Sequence, residues 1–245
     1  MPEVLASLAW GALAASSLVL GALLAFARSW PTKWVGFVLA FGAGALISAI
    51  SLELAAEGAR VGGLDTTAIG LAIGALTYYL LDGALAQRSG GGRGRPGRSA
   101  SSNAGPALAL GAFLDGVPEQ MALGIGLAAG EGVGVGLLVA IFVSNLPEAI
   151  GSATEMHATG TSRRTIMRLW IAVAAICTAA SVIGYAVADA TGGNFKAIID
   201  GFAAGALIVM LIDSMIPEAT RESGRTAGLV TTLGFAVATA LSTVS

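Results

Sequence analysis

Long apolar runs separated by short polar joints recur along all 245 residues of the chain. They fall at about 4–27, 34–57, 65–86, 106–129, 132–155, 167–189, 197–219 and 226–244. Each reaches the roughly 20 mostly apolar residues that a helix needs to cross a bilayer. The pattern predicts an all-α integral membrane protein, a single transmembrane domain of eight helices. One joint is long. RSGGGRGRPGRSASSNAG, residues 88–105, is rich in Gly, Ser and Arg and reads as a disordered loop. Pro106 then stands where the fourth helix opens, a favoured first-turn position.

Positive charge orients the bundle. With the N-terminus outside, the inner joints hold Arg28, Lys33, Arg88, Arg93, Arg95, Arg98, Arg163, Arg164, Arg168, Arg221 and Arg225, and the outer side holds only Arg60 and Lys196. Both termini are therefore expected to be extracytoplasmic, with loop 88–105 in the cytoplasm. The first run has no basic stretch before it, and its length suits a retained span rather than a cleaved signal peptide. A multi-pass protein of the cell (inner or plasma) membrane follows.

Composition agrees. Charged residues make up 11% against 55% hydrophobic, and mean hydropathy is +0.80. A net charge of −2 gives no reason to expect a nucleic-acid partner. The single Cys177 cannot form an internal disulfide and reads as a small buried hydrophobe. GFVLAFGAGALISA (36–49) and GFAAGALIVMLID (201–213) resemble each other and suggest an internal repeat. Their small residues favour close helix packing in lipid and allow a homodimer.

Against this background, polar groups inside the spans stand out. An ionisable residue deep in a span costs about 2.5–3.5 kcal/mol on insertion scales. Asp115 and Glu119 share one face of helix four at i, i+4. Ser144, Asn145 and Glu148 lie near the middle of helix five, and Asp213 lies in helix seven. Stacked carboxylates with few cationic neighbours are tolerable when they bind a cation, and oxygen ligands suit a metal ion. Pro118, Pro147 and Pro217 each leave a carbonyl one turn earlier without its helical donor. A proline alone is usually only a kink. Beside a carboxylate it puts a freed carbonyl and a charge within one turn, a local recipe for an ion site. Glu53, Glu57 and Asp82 approach span ends, where water reaches, and read as structural. Glu218 is open to either role. His157 reads as a loop histidine and Met121 as packing.

Asp115-Gly116-Val117-Pro118-Glu119-Gln120 and Ser144-Asn145-Leu146-Pro147-Glu148-Ala149, on consecutive spans, resemble the paired H-N-x-P-E-G and [HQ]-[ND]-x-P-E-G motifs of the ZIP (Zrt-/Irt-like protein) divalent-metal transporters. Asp213-Ser214-Met215-Ile216-Pro217-Glu218 looks like that family's E-E-x-I-P-E stretch. The resemblance covers nearly the whole chain and is to a divergent bacterial-type member. It implies a ZIP-like bundle, with a metal path between helices two, four, five and seven. It further implies Asp115, Glu119, Asn145 and Glu148 as metal ligands, completed by Asp213 or Ser214. The usual metal-site histidines are missing: Asp115 and Ser144 stand in their places, Gly116 replaces an asparagine, and Gln120 replaces a glycine, placed to donate to Glu119 or to crowd the kink. An all-oxygen set shifts preference from zinc toward harder ions such as manganese, with zinc and ferrous iron still admitted.

The expected activity is secondary transport of a divalent cation (zinc, manganese or iron) toward the cytoplasm by alternating access. No Gly-Lys-Ser/Thr phosphate loop is present to use ATP. The alternatives are a non-transporting membrane scaffold or metal sensor and, further off, an intramembrane enzyme with Asp115 and Glu119 as acid and base. Protons compete with metal for clustered carboxylates. Initial uptake rates should therefore rise between about pH 5 and pH 7, and a flat profile would contradict a carboxylate site.

Overall fold

The computed structural model describes residues 2–88, 104–128, 135–189 and 193–242. These are almost entirely helical, with no strand among them. The helices are α1 (Pro2–Ala27), α2 (Thr32–Gly62), α3 (Leu64–Arg88), α4 (Ala104–Ala128), α5 (Val135–Ala158), α6 (Arg163–Asp189), α7 (193–223) and α8 (Ala227–Ser242). Of the expected disordered loop 88–105, residues 89–103 lie outside the described residues, while Arg88, Ala104 and Gly105 belong to the flanking helices. Pro106 sits in the first turn of α4.

Among the described residues six helical stretches are long and apolar enough to cross a membrane: Glu3–Ala27, Thr32–Gly62, Leu64–Ala84, Val135–Ala158, Arg163–Ala188 and Asn194–Ser242. The last contains both α7 and α8, broken at Gly224, whose φ of 66° only glycine adopts readily. Large apolar side chains face outward all round, among them Leu5, Leu64, Tyr79, Ile183 and Leu229. A soluble surface would not carry so much contiguous apolar area. The chain is an integral, multi-pass membrane protein.

Two apolar cores hold the helices. One joins α2, α4, α7 and α8 with the first half of α5; the other joins α1 and α6 with its second half. α5 thus belongs to both. Lipid offers little hydrophobic drive for helices to associate, so close backbone approach must supply the contact. Between α3 and α7 the glycines supply it reciprocally. A Cβ on Gly74 would collide with the Phe202 carbonyl, and one on Gly205 with that of Leu71. α2 and α8 repeat the arrangement, Gly44 against the Thr231 carbonyl and Gly234 against that of Phe41.

Two helices contain a wider turn. α2 passes through a π turn at Ile50–Ala55 and α7 through another at Leu211–Met215. Each begins six residues after the glycine of a Gly-Ala-Leu-Ile segment, Gly44 and Gly205. The resemblance between those stretches therefore extends to backbone geometry. In α7 the wide turn ends at Met215, two residues before Pro217, and so relieves the clash of that ring with the preceding turn.

The basic joints gather at one end. There the Phe26 ring meets His157 edge-on at 5.6 Å, and the Arg163 guanidinium lies 5.3 Å from it. The start of α2 joins them, with Gly36 packed on Glu222 and Ser223. At the opposite end Tyr185 donates to Glu3 at 2.8 Å, and Glu57 pairs with Arg60 at 2.7 Å and Lys196 at 3.6 Å.

A methyl group at Gly205 has nowhere to go, while at Gly83 an added Cβ meets nothing within 4 Å. Gly205→Ala should destabilise the bundle by about 1–3 kcal/mol, read as a lower thermal unfolding midpoint in detergent. Gly83→Ala should leave that midpoint unchanged or slightly raised.

Candidate metal site

α4, α5 and α7 bring their Pro-Glu segments around one cavity of about 30 Å³, with α2 closing its side. Its lining is Leu39, Glu119, Ser144, Glu148, Met210, Ser214, Met215 and Glu218. That volume holds a water molecule or a desolvated ion, and is far below what an organic ligand needs. α4 and α5 stay helical through Pro118 and Pro147, so each carboxylate keeps its helical phase.

Glu119 is 1% exposed. Ser144 Oγ lies 3.2 Å from Glu119 Oε1 and 3.0 Å from the Ile141 carbonyl. The hydroxyl has one proton for these two acceptors. When it donates to Ile141, its lone pairs turn toward the cavity. Close packing fixes Ser144: a Cβ on Gly42 would stand 3.0 Å from its Cα. Glu148 is half-buried one turn further along α5.

Ser214, reached through the α7 π turn, lines the cavity, and its Oγ has no hydrogen-bond partner among the described residues. Asp213 is exposed on the other side of that turn and does not line the cavity. Glu218 follows Ser214 at i, i+4 and stands at the rim, 49% exposed, with Arg221 Nη2 3.8 Å from its Oε1. The cavity thus leads toward the basic end of the bundle.

Asn145 is 1% exposed, and neither side-chain amide atom has a hydrogen-bond partner among the described residues. It does not line the cavity. The side chain of Asp115 lies outside the described residues. Among the described residues no three His, Cys, Asp or Glu side chains form a group that could hold a metal. The oxygen set at the cavity is therefore mixed, carboxylates of Glu119, Glu148 and Glu218 with hydroxyls of Ser144 and Ser214.

Gly116 and Gln120, two of the three departures from the family motif on α4, face α6 and α1. A Cβ on Gly116 would stand 2.8 Å from Cys177 Sγ, so the buried thiol occupies the space a larger residue would need. Gln120 is fully buried, and its Oε1 lies 3.5 Å from where a Cβ on Gly11 would sit. It does not line the cavity. His157 is exposed at the basic end, its ring against Phe26, away from the cavity. Sequence reasoning left Glu218 undecided and chose Asp213 on this helix, with Ser214 only as the alternative that the family resemblance admits. The pairing that would have separated them is the i, i+4 spacing of Ser214 and Glu218, the spacing that also joins Ser144 to Glu148.

Comparison with known proteins bears on this geometry. The profile of the ZIP zinc transporter family matches residues 98–242, which include all three Pro-Glu segments. The Arabidopsis thaliana protein named "Putative zinc transporter At3g08650" is 29% identical over 213 residues, 85% of this chain and 34% of that protein. The zinc transporter SLC39A7 of Canis lupus familiaris is 25% identical over 156 residues, 57% of this chain and 33% of its own. SLC39A7 of Mus musculus is 25% identical over 171 residues, 62% of this chain and 36% of its own. The chain spans about a third of the length of these relatives. The family is one of transporters, not enzymes. With more than half of its residues matched and the motifs gathered around one ion-sized cavity, the chain belongs to the ZIP zinc transporter family.

Proposed function

We propose that the chain carries a divalent metal cation across the cell membrane, without ATP, toward the cytoplasm by alternating access. The observation that supports this best is the 30 Å³ cavity, ion-sized and lined by Glu119, Ser144, Glu148, Ser214 and Glu218. In this reading the chain crosses the bilayer eight times as a single domain, 1–245, with both termini outside. The gathering of Arg28, Lys33, Arg163 and Arg221 toward one end fits that end being cytoplasmic. The cavity leads toward the same end, so this conformation is the inward-facing one.

The cation is held by Asp115, Glu119 and Glu148, with Ser144 giving a neutral oxygen and Ser214 and Glu218 contributing from α7. Asp213, exposed here, and Asn145, off the cavity, take no direct part in this conformation. Carboxylates neutralise the charge of the ion, and their oxygens together with the hydroxyls replace part of its hydration shell. When the site is empty, Ser144 donates to Glu119. When a cation arrives, that proton turns to the Ile141 carbonyl and the oxygen becomes a ligand. Arg221 competes with the cation for Glu218 at the rim and so favours release into the cytoplasm.

Zinc is the cargo named for the relatives. The absence of imidazole here opens the site to manganese and ferrous iron as well. Proteoliposomes of the purified chain should show saturable uptake of Zn²⁺, Mn²⁺, Fe²⁺ or Cd²⁺. Glu119→Ala should abolish it, and Asp115→His should shift preference toward zinc. Ser144→Ala removes one donor and one ligand oxygen and should raise KM about fivefold, as for loss of one modest hydrogen bond. No flux of any metal through correctly inserted protein would sink the transporter reading in favour of a scaffold or sensor.

A further inference from the structure

The α1–α2 joint, Arg28-Ser29-Trp30-Pro31-Thr32-Lys33-Trp34, takes no part in the cavity. Its own contacts nevertheless order it. Trp30 Nε1 donates to the Leu24 carbonyl at 3.1 Å, which folds the joint back on α1. The Trp34 N–H donates to the Pro31 carbonyl at 2.9 Å, and the Trp34 ring meets Phe37 edge-on at 5.8 Å.

Three cations sit on three rings of residues 26–37. Arg28 Cζ lies 5.8 Å from the centre of the Trp30 ring, and Lys33 Nζ lies 5.7 Å from that of Phe37. Arg163 Cζ, at the start of α6, lies 5.3 Å from that of Phe26. A ring attracts a cation through its quadrupole and neutralises none of its charge. Other cations of this protein are neutralised: Arg60, Lys196 and Arg221 each pair with a carboxylate. Among the described residues Arg28, Lys33 and Arg163 pair with none, and all three are exposed. Lys33 and Arg163 also stand in the first turns of α2 and α6, where the helix dipole opposes positive charge and no acidic residue offsets it. Chain orientation accounts for cations at this end. It does not account for seating them on rings, away from carboxylates.

The surroundings name the partner. Leu20 and Leu23 of α1 and Trp34 of α2 are exposed beside these cations. Over residues 20–34 apolar side chains give way to rings and then to charge, the order in which a bilayer passes from acyl chain to headgroup. A phosphodiester lies at that level, and a guanidinium takes two of its oxygens at once. Positive charge without carboxylates favours a lipid of net negative charge over a zwitterionic one.

We propose that Arg28, Lys33 and Arg163 form a site for the headgroup of an anionic phospholipid in the leaflet at the basic end, its acyl chains lying along Leu20, Leu23 and Trp34. α1 and α6 belong to one apolar core and α2 to the other, so a lipid held by all three cations joins the two cores at that end. The site stands apart from the cation cavity and does not depend on what the protein carries.

The test sets phosphatidylglycerol against phosphatidylcholine of the same acyl chains, bound to the purified full chain and read by native mass spectrometry. The parent should hold phosphatidylglycerol about tenfold more tightly, with saturable binding. The triple variant Arg28→Gln, Lys33→Gln, Arg163→Gln should bring the two lipids within about twofold of each other. Lys33→Gln alone, a milder change at an exposed position, should lower the preference about threefold. Arg93→Gln, Arg95→Gln, Arg98→Gln, the same loss of charge within 88–105, should leave it at the parental value. Circular dichroism checks that each variant keeps its helix content. Equal binding of the two lipids by the parent overturns the site, as does a preference that survives the triple variant. An equal fall in the 93/95/98 variant shows diffuse attraction to surface charge, which also overturns it. A thermal midpoint raised as far by inorganic phosphate as by phosphatidylglycerol assigns the patch to a soluble anion instead of a lipid.

Discussion

Everything in this protein depends on how closely its helices approach. Lipid does not squeeze helices together as water does, so association requires backbone contact. The α3–α7 and α2–α8 pairs meet glycine to carbonyl, with no room for a methyl group. That contact sets the positions of α2 and α7, which in turn wall the cavity from either side of α4 and α5. Carboxylates at this depth are tolerable because the bundle gathers them where hydroxyls, and a cation, can compensate them. A looser bundle would leave Glu119 facing hydrocarbon.

The helices were legible in the sequence because apolar runs of the required length are hard to read in any other way, and every expected segment overlaps an observed helix. The candidate site was legible in part for a related reason. Charge is so scarce in the runs that Glu119 and Glu148 stand out, and helical spacing brings them with Ser144 to one cavity while α4 and α5 stay regular through their prolines. α7 defeats the same reasoning. Its π turn breaks the constant phase of about 100° per residue on which face assignment relies. Asp213 therefore turns outward and Ser214 inward. Pro217 marks a disturbance there without saying which residue the altered turn will present.

Glu53 illustrates a second limit. Counting residues from the end of a span places a side chain by depth, not by direction. What gives Glu53 its place is a glycine more than 80 positions away in the chain, Gly136, which only the fold brings near. The two π turns share an offset from their Gly-Ala-Leu-Ile segments, so Glu53 and Ser214 occupy matching places, as do Glu57 and Glu218. One copy of the repeat turns its polar residues toward the cavity. The other turns them to interhelical contacts, Glu53 to Gly136 and Glu57 to Lys196.

Helical phase also constrains the length of the chain. Removing a single residue from the regular part of α2 between Gly44 and Ile50 would rotate everything beyond by about 100°. Glu57 would swing away from Lys196, and Gly58 would no longer face Thr67 and Asp200, which now lie 3.1 and 3.2 Å from the place of its absent Cβ. The same deletion in a joint between helices would be absorbed by a few backbone torsions. Insertions and deletions among related chains are thus expected to collect in the joints, while the spacing from Gly44 to Glu57 and from Gly205 to Glu218 is held constant.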